Sequence, residues 1–468
     1  MSSNKFNRYL KVIVASLKGE EHDFTQGSLR TAIVLLAIPM ILEMMMESVF
    51  AVVDIFFVNK LGPEATSIVG LTESVITIVY SIGIGLSAAA TAMVARRIGE
   101  KNRREASESG KQAIVLGLIV TVLISIPGLV FAPNILRLMG AEEHAIAMGA
   151  GYTQWMFGSS LVIIMLFLIN GIFRGAGNAA IAMQSLWLAN IINIILDPIF
   201  IFGWGPVPAM GLEGAAIATV TGRGIGVLFQ LYHLLRGSGM LRIEIRPFLP
   251  RWDIIRGLVK IASPAAFQFM IASASWIVLA ALVARYGSDA SAGYQTAIRI
   301  LLFFILPAWG LSNAAATLVG QNLGAGLPAR AEQSVVLTAT YNAVFMASVT
   351  VFFLVFGKAV IQFFIEDHTS AQYTYALEAI RIMSAGYIFY GIGMVVTQAF
   401  NGAGDTRTPT MINFVGFWLF QIPIALLMAL VLNWGPTGAF LAIPIAEMFI
   451  AIAGIILFRS GRWKTIAV

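Results

Sequence analysis

The sequence predicts an all-α polytopic membrane protein with twelve transmembrane helices in two six-helix bundles. Three observations lead to this fold class. The 468 residues are 58% hydrophobic and only 12% charged, with a mean hydropathy of +0.83, whereas soluble domains are about a quarter charged. Twelve long apolar runs follow a polar N-terminal segment. The chain also resembles itself at an offset of 225 residues, so that each half holds six of the runs.

Each apolar run is long enough to cross the roughly 30 Å hydrocarbon core of a bilayer as a helix. The breaks between the runs, such as GEKNRR, GWGPVP and GAGDTRTP, are rich in Gly, Pro and charge, as is typical of loops. Several runs exceed the length that a bilayer requires, so we expect tilting or projection beyond the membrane. The predicted spans 1 to 12 are 31–58, 66–95, 111–132, 148–173, 178–203, 211–236, 255–285, 291–320, 333–356, 375–401, 408–432 and 436–458.

Basic residues are distributed unevenly between the two sides that these spans define. With the N-terminus in the cytoplasm, the cytoplasmic segments hold 23 Lys and Arg residues and the external loops hold 4. Basic residues concentrate in the cytoplasmic loops of membrane proteins, so both termini are predicted to be cytoplasmic. The net charge of +6 then belongs to these loops, and no nucleic-acid partner is expected. No cleavable signal is recognised, and the predicted location is the cytoplasmic (inner) membrane.

The internal repeat divides the chain near its middle. Pro39 and Gly62, in and after span 1, correspond to Pro264 and Gly287, in and after span 7. Six spans per half give both halves the same orientation, hence a pseudo-twofold axis along the membrane normal.

Basic and apolar residues alternate near the N-terminus, which fits either a short interfacial helix or a loosely ordered tail. The predicted parts are a cytoplasmic N-terminal segment (1–30), a first bundle (31–236), a cytoplasmic linker (237–254), a second bundle (255–458) and a cytoplasmic tail (459–468).

Three carboxylates interrupt span 1. At about 100° per residue, Glu43, Glu47 and Asp54 form one stripe about 16 Å long. A charge at the centre of a membrane helix costs about 2.5–3.5 kcal/mol on insertion scales, so we expect the stripe to face protein or water. Arg223 of span 6 offers a partner. Glu43, Glu47 and Arg223 therefore either line a substrate cavity or form Glu–Arg pairs between spans.

Span 5 carries a second polar face. Asn190, Asn193 and Asp197 fall within about 60° of one another on the helix. Thr219 of span 6 and Asp54 are predicted to lie at a similar depth, toward the external half of the membrane.

The second half of the chain lacks these acids. Leu279 corresponds to Asp54, and Ile424 corresponds to Asp197. If folding required the acids, both halves should carry them. The asymmetry favours a functional role for Asp54 and Asp197.

The chemistry of these side chains is suited to ion coupling. A buried carboxylate resists ionisation, so it can take up a proton on one side of a membrane and release it on the other. The oxygens of Asp54, Asn193, Asp197 and Thr219 equally suit a hard cation such as Na⁺. These four residues are the predicted ion-coupling residues and a candidate Na⁺ site, and the coupling ion is H⁺ or Na⁺. The sequence has no GxxxxGK[ST], HExxH or GxSxG motif, so we predict no enzymatic activity and no cofactor.

Taken together in order and spacing, several motifs resemble the multidrug and toxic compound extrusion (MATE) family over essentially the whole chain. The resemblance implies a V-shaped fold that alternates between facing in and facing out. It also implies a secondary antiporter that exports cationic or amphipathic compounds in exchange for Na⁺ or H⁺. The motifs are Pro39 followed by DIFFVNKLG (54–62), RGAGN (174–178), NIILDPIF (193–200), GLEGAAIAT (211–219) and NGAGDTRTP (401–409).

Individual positions resemble the DinF-like branch of that family. Asp54, Asn193 and Asp197 look like its aspartate on span 1 and its Asn-x-x-x-Asp pair on span 5. Thr219 resembles its hydroxyl on span 6, and Asn170 resembles a cavity-lining asparagine on span 4. The residues predicted to line the substrate cavity are Asn170, Asn190, Glu43, Glu47 and Arg223.

The NorM-like branch binds its cation in the second half, through a glutamate on span 7 and an aspartate on span 10. Here Ala272 stands where that glutamate is expected, and span 10 has only Glu378 at its outer end. The resemblance therefore does not extend to that second-half site.

Two other functions compete with a cation-coupled exporter. A lipid-linked precursor flippase occurs on the related fold of the same superfamily, but it should present several basic residues to its anionic cargo. The spans here hold only Arg223, Arg299 and Arg381 against several acids, which favours cationic cargo. A channel is disfavoured because no ring of repeated charges appears.

The two-bundle plan is complete in one chain, so we expect a monomer. Arg299 and Glu447 are not assigned.

Overall fold

The structure, a computed structural model, describes residues 11–19, 22–236, 241–243 and 249–468. Among these residues, eleven helices are long and apolar enough to cross a membrane, and one bent pair of helices makes a twelfth span. The observed spans 1 to 12 are Leu29–Asn59, Pro63–Gly99, Arg103–Leu138, Glu143–Gly175, Ala179–Phe202, Gly211–Arg236, Trp252–Ala284, Ser288–Gly324, Pro328–Phe364, Ala371–Ala385 with Tyr387–Ala403, Arg407–Val431 and Pro436–Arg459.

Each predicted span corresponds to one observed span, and the predicted fold class is confirmed. The helices extend beyond the apolar runs, as span 3 illustrates. Its 36 residues are about 54 Å long, well above the roughly 30 Å of hydrocarbon. The polar residues at its start continue the helix outside the apolar layer. Asn102 caps that start, because its Oδ1 accepts a hydrogen bond from the Glu105 amide at 3.1 Å.

Both bundles begin slightly before their predicted boundaries, span 1 at Leu29 and span 7 at Trp252. Within the N-terminal segment, residues 11–18 are helical. This helix lies against the start of span 5, where Gln184 Nε2 donates to the Leu17 carbonyl at 3.1 Å. The first part of the predicted interfacial helix, residues 1–10, lies outside the described residues, as do residues 237–240 and 244–248 of the predicted linker.

The internal repeat has a direct counterpart in the backbone. Gly62 and Gly287 precede spans 2 and 8 with φ of 103° and 106°. This backbone conformation is open to glycine and strained for other residues. Two breaks also correspond at an offset of 227. Span 4 is interrupted at Ser159, and span 10 bends by 51° at Gly386.

The two bundles meet through spans 1 and 2 of the first and spans 7 and 8 of the second. The backbones approach closely at glycines that the repeat relates to each other. A Cβ on Gly85 of span 2 would lie 2.6 Å from the carbonyl oxygen of Ala262 in span 7. Gly310 of span 8 packs in the equivalent way against Met40 of span 1.

A second pair of repeat-related glycines lies where spans 2 and 8 cross near their ends. A Cβ on Gly99 would overlap the carbonyl oxygen of Gln321, and a Cβ on Gly324 would overlap that of Arg96. The crossing is therefore symmetric about the pseudo-twofold axis, and it has no room for a side chain at either glycine.

These contacts lie on the side of the molecule where span 1 begins and span 12 ends, here called the terminal side. Hydrogen bonds reinforce them. Thr317 Oγ1 of span 8 donates to the Arg174 carbonyl at 3.0 Å, and Arg96 Nη2 donates to the Ile466 carbonyl in the C-terminal tail at 2.6 Å. Within the described ranges, the hydrogen bonds that join the bundles all lie on this side. The structure is thus closed on the terminal side.

Candidate functional site

The carboxylates of span 1 point into their own bundle, toward spans 4, 5 and 6. Glu43 lies at the end nearest the terminal side and is 1% exposed. Its Oε1 accepts hydrogen bonds from Asn170 Nδ2 at 3.0 Å and from Arg174 Nη1 at 3.4 Å. Asn170 Oδ1 in turn accepts from Gln230 Nε2 at 2.5 Å and from Ser185 Oγ at 3.1 Å. Glu43 and Asn170 therefore belong to a buried polar network, and their predicted role in the substrate cavity stays a prediction.

Glu47, one turn further along, joins spans 5 and 6. Its Oε1 accepts a hydrogen bond from Arg223 Nη2 at 3.3 Å, and its Oε2 accepts one from Asn190 Nδ2 at 3.2 Å. The Arg223 guanidinium also lies 5.5 Å from the ring of Phe50 and 5.3 Å from that of Tyr80. A cation held over aromatic rings is stabilised by their quadrupoles. The Glu–Arg pair that the sequence allows for Arg223 is thus formed with Glu47, and Glu43 pairs with Arg174, which the sequence analysis did not consider as a partner.

Removal of Glu47 is expected to destabilise the protein, because it leaves the buried Arg223 charge without its salt-bridge partner. Breaking one partner of a buried pair costs about 3–5 kcal/mol, and Arg223 and Glu47 are 3% and 22% exposed at their side chains. Glu47→Leu should lower the unfolding midpoint of the detergent-solubilised protein. Glu47→Leu/Arg223→Leu should recover most of the loss.

The matched control for this pair is the exposed pair of Arg137 and Glu143, whose side chains are 53% and 74% exposed. Glu143→Gln should change the unfolding free energy by less than about 1 kcal/mol. Equal losses in Glu47→Leu and Glu143→Gln would contradict the assignment of Glu47 and Arg223 as a buried structural pair.

The remaining predicted residues form a third cluster, farther from the terminal side. Asn193 Nδ2 donates to Asp197 Oδ1 at 3.3 Å and to Thr219 Oγ1 at 3.2 Å, so spans 5 and 6 are joined as the sequence predicts. Asp54 of span 1 lies close enough to interact electrostatically with Asp197. Asp197 is fully buried and Asn193 nearly so.

Two acceptors in this cluster are unused. Among the described residues, Asn193 Oδ1 and Asp197 Oδ2 are buried and receive no hydrogen bond. A buried acceptor without a donor costs about 1–3 kcal/mol, and more when it is charged. A proton on Asp197, or a cation shared by both oxygens, would remove that cost. The side-chain atoms that could bind a cation here are all oxygens, which suits a hard cation such as Na⁺.

The described residues contain no group of three or more His, Cys, Asp or Glu side chains placed to hold a metal ion. A metal ion at this cluster would therefore depend on the amide and hydroxyl oxygens of Asn193 and Thr219 besides the two aspartates. The assignment of Asp54, Asn193, Asp197 and Thr219 to a Na⁺ site stays a prediction.

Glu73 of span 2 was missed by the sequence analysis. It interacts electrostatically with Asp54 and with Arg223, so the acidic cluster has a third carboxylate on a third helix. The signal that identifies Asp54, a carboxylate inside a predicted span, applies equally to Glu73 and could have found it.

The second bundle has no counterpart to this cluster. Leu279, which corresponds to Asp54, is 1% exposed and belongs to the apolar core of that bundle. Ile424, which corresponds to Asp197, packs against the same core. The span that carries Ile424 is also irregular, with π-helical segments at Phe414–Gln421 and Leu427–Val431. At the positions that correspond to Asp54 and Asp197, the duplicated fold therefore carries apolar side chains in the second bundle.

Two like-oriented six-helix bundles, with buried carboxylates between the helices of one of them, define a multi-pass membrane transporter. The MatE family model matches the chain twice, at residues 39–199 and 264–427. The starts of the two matches are separated by the same 225 residues as the sequence repeat. The chain belongs to the MATE family of multidrug efflux transporters.

Individual relatives cover almost the whole chain. The chain is 27% identical over 437 residues to a protein of Shewanella oneidensis named FAD transporter, covering 93% of this chain and 95% of that protein. It is 27% identical over 445 residues to a Thermotoga maritima protein named probable multidrug resistance protein NorM, with 94% of each chain covered. The expected affiliation with the DinF-like branch stays a prediction.

A solved structure described as the outward-facing conformation of a multidrug resistance MATE family transporter is also similar. Its TM-score is 0.88 at 26% sequence identity, and the match covers 93% of this chain and 96% of that one.

Proposed function

We propose that this protein is a secondary active antiporter that exports cationic or amphipathic compounds in exchange for H⁺ or Na⁺. The coupling residues are Asp54 and Asp197, assisted by Asn193 and Thr219. The cargo enters the space between the bundles, and the exchange follows alternating access between two conformations.

The observation that carries this proposal is the pair of unused acceptors, Asp197 Oδ2 and Asn193 Oδ1, within the first bundle. Glu43 also has one buried oxygen without a hydrogen bond, Oε2, but Glu43 and Glu47 each form a salt bridge with an arginine. Asp197 and Asp54 form no salt bridge among the described residues, and the Arg223 charge acts on Asp54 only at longer range. An unpaired buried acid is suited to exchange an ion during each cycle, whereas a paired acid is suited to hold helices together.

The orientation of the protein completes the proposal. Basic residues favour the cytoplasm, and the terminal side has 23 Lys and Arg residues against 4 on the other side. The terminal side therefore faces the cytoplasm, and the protein lies in the inner membrane. The conformation described above is then closed to the cytoplasm, in agreement with the similarity to an outward-facing transporter. One chain contains both bundles, so the working unit is a monomer.

A flippase for anionic lipid precursors is less well supported. Arg174 and Arg223, two arginines inside the first bundle, each form a salt bridge with a glutamate. These salt bridges neutralise part of the positive charge that an anionic headgroup would require. The acidic cluster of Asp54, Glu73 and Asp197 would instead attract a cation.

The proposal is tested by transport into proteoliposomes that contain the purified protein. A fluorescent cationic dye should move only when a gradient of the coupling ion is imposed, and its flux should saturate with dye concentration. A pH gradient and a sodium gradient are compared separately, each with an ionophore control that collapses it. Flux that does not depend on either gradient would contradict the proposal of an antiporter.

The same vesicles test the charge of the cargo. FAD, the compound in the name of the Shewanella relative, is offered beside the cationic dye. Preference for the dye is expected from the acidic cluster. Transport of FAD without transport of the dye would contradict cationic cargo while leaving ion coupling intact.

A further inference from the structure

The second bundle contains one buried acid that the site described above does not use. Glu447 lies in the middle of span 12 and is 5% exposed. Among the described residues, its Oε1 is buried without a hydrogen-bond partner, and no Arg, Lys or His forms a salt bridge with it. A fully charged carboxylate in this position would be strongly destabilising. The group must therefore be neutralised by something other than a neighbouring side chain.

A small cavity adjoins Glu447. Its volume is about 10 Å³, which is close to the minimum that holds one water molecule. Trp276 of span 7 and Ile305 of span 8 line it together with Tyr387 and Tyr390 of span 10. The two phenols are the only titratable groups besides Glu447 among the described residues that line the cavity, since spans 7 and 8 contribute an indole and an alkyl group.

The cavity lies where two helices are irregular. Span 10 bends by 51° at Gly386, and a Cβ on Gly386 would lie 2.5 Å from Cβ of Pro444 in span 12. Pro444 has no backbone N–H, so the carbonyl four residues earlier in the helix loses its usual donor. Broken helices at mid-membrane are tolerated where they line a cavity, and transporters place ion sites at such breaks.

The internal repeat shows that this acid is not needed to build the fold. GLEGAAIA (211–218) is related to GPTGAFLA (435–442) by an offset of 224 in the repeat. By the same offset, Glu447 corresponds to Arg223. The first bundle thus carries a cation where the second carries an acid. Arg223 is neutralised by Glu47, but the residue that corresponds to Glu47 is Ala272. The same architecture therefore accepts either charge, and only the first bundle supplies a counter-ion.

We propose that Glu447 is a second protonation site, in which a proton from the aqueous phase adds to the carboxylate and leaves a neutral acid beside the cavity. A proton fits the surroundings better than a metal ion, because one carboxylate and two phenols give too few oxygens for the six or more that hard cations prefer. The site lies on span 12, not at the span 7 and span 10 positions of the NorM-like branch. It does not depend on the acids of the first bundle or on the proposed antiport.

The test is infrared spectroscopy of the purified protein in lipid, which detects protonated carboxyl groups by their carbonyl stretch. At neutral pH the wild type should show a band for a buried protonated carboxyl that disappears in Glu447→Gln. The band should persist in Asp54→Asn/Asp197→Asn, which separates this proposal from the one for the first bundle. Should Glu447→Gln fold poorly, Glu447→Leu replaces the acid with an apolar side chain that suits an apolar cavity.

Three results would overturn the proposal. If the band is unchanged in both Glu447→Gln and Glu447→Leu, the carboxyl of Glu447 is not protonated. If the band of the wild type is lost on addition of Na⁺ at constant pH, and this loss is absent in Glu447→Gln, the site holds a metal cation instead. A merely structural acid is also distinguishable, because Glu447→Leu would then lower the unfolding midpoint, whereas a protonation site predicts an equal or higher midpoint.

Discussion

Asp197→Asn is expected to fold like the wild type and to lose gradient-driven export, with dye transport falling to the level of empty liposomes. The substitution keeps the size of the side chain and an oxygen that can accept the hydrogen bond from Asn193 Nδ2, which now measures 3.3 Å. It removes the one property that the proposed mechanism requires, the ability to exchange a charge with a proton or a cation. The measurement is dye transport in proteoliposomes under an imposed pH or sodium gradient.

Asp54→Asn should give the same result. If Asp54 and Asp197 share one ion, Asp54→Asn/Asp197→Asn should be no worse than either single variant, because groups that act as a unit are not additive. The matched control is Asp289→Asn, an exposed aspartate in the first turn of span 8, which should transport like the wild type. Wild-type transport by Asp197→Asn under a gradient would remove Asp197 from the coupling mechanism.

Much of this fold could be predicted from the sequence because a bilayer imposes strong constraints. A helix in hydrocarbon must be long, apolar and internally hydrogen-bonded, so every span is visible as an apolar run. The same constraint makes Asp54 and Asp197 conspicuous, since a carboxylate in such a run is costly. Helical geometry then places Asn193 beside Asp197, and the structure contains that hydrogen bond.

The partners of the charged residues were harder to predict. Arg174 counts as a loop residue in the sequence, since it follows an apolar run, yet its side chain reaches Glu43 and Ser87 inside the bundle. Long arginine side chains extend several ångströms from their helix, so position along the chain does not fix where the charge lies. Glu73 matters because it lies near Asp54 and Arg223 on other spans. That proximity depends on helix packing, which the periodicity of the sequence alone does not specify.

The closure between the bundles could also not be predicted from the sequence. Gly99 and Gly324 could be matched as repeat partners, but glycine has several uses, and its role as a crossing point appears only when spans 2 and 8 are packed. The repeat predicted two similar bundles. It could not predict which ends of those bundles are in contact, because a transporter of this plan visits states with either side closed.

Gly99→Leu and Gly324→Leu are each expected to shift the protein away from the state closed on the terminal side. A side chain at Gly99 meets the carbonyl of Gln321, and one at Gly324 meets that of Arg96. Both overlaps are with backbone of the opposite bundle, so the fold of each bundle should survive. Overpacking of this kind costs about 1–3 kcal/mol, which corresponds to a change of about 5- to 150-fold in the ratio of the two states. Export should fall because one half of the cycle is disfavoured.

The shift can be measured by electron paramagnetic resonance between pairs of spin labels, since the chain has no native cysteine. Cysteines introduced at Lys60 and Arg285, which are exposed and related by the repeat, report the side opposite the termini. The distance between these labels should shorten in Gly99→Leu, while a pair at Arg104 and Ala329 on the terminal side should lengthen.

Gly70→Leu is the matched control for this measurement, because it lies on the same helix as Gly99 and a Cβ there has no atom within 4 Å. Its label distances should equal those of the parent. The pseudo-twofold symmetry adds a sharper requirement. Gly99→Leu and Gly324→Leu disturb equivalent halves of one crossing, so their shifts should be alike in direction and similar in size. Unchanged distances in both variants would show that the crossing of spans 2 and 8 does not control closure of the terminal side.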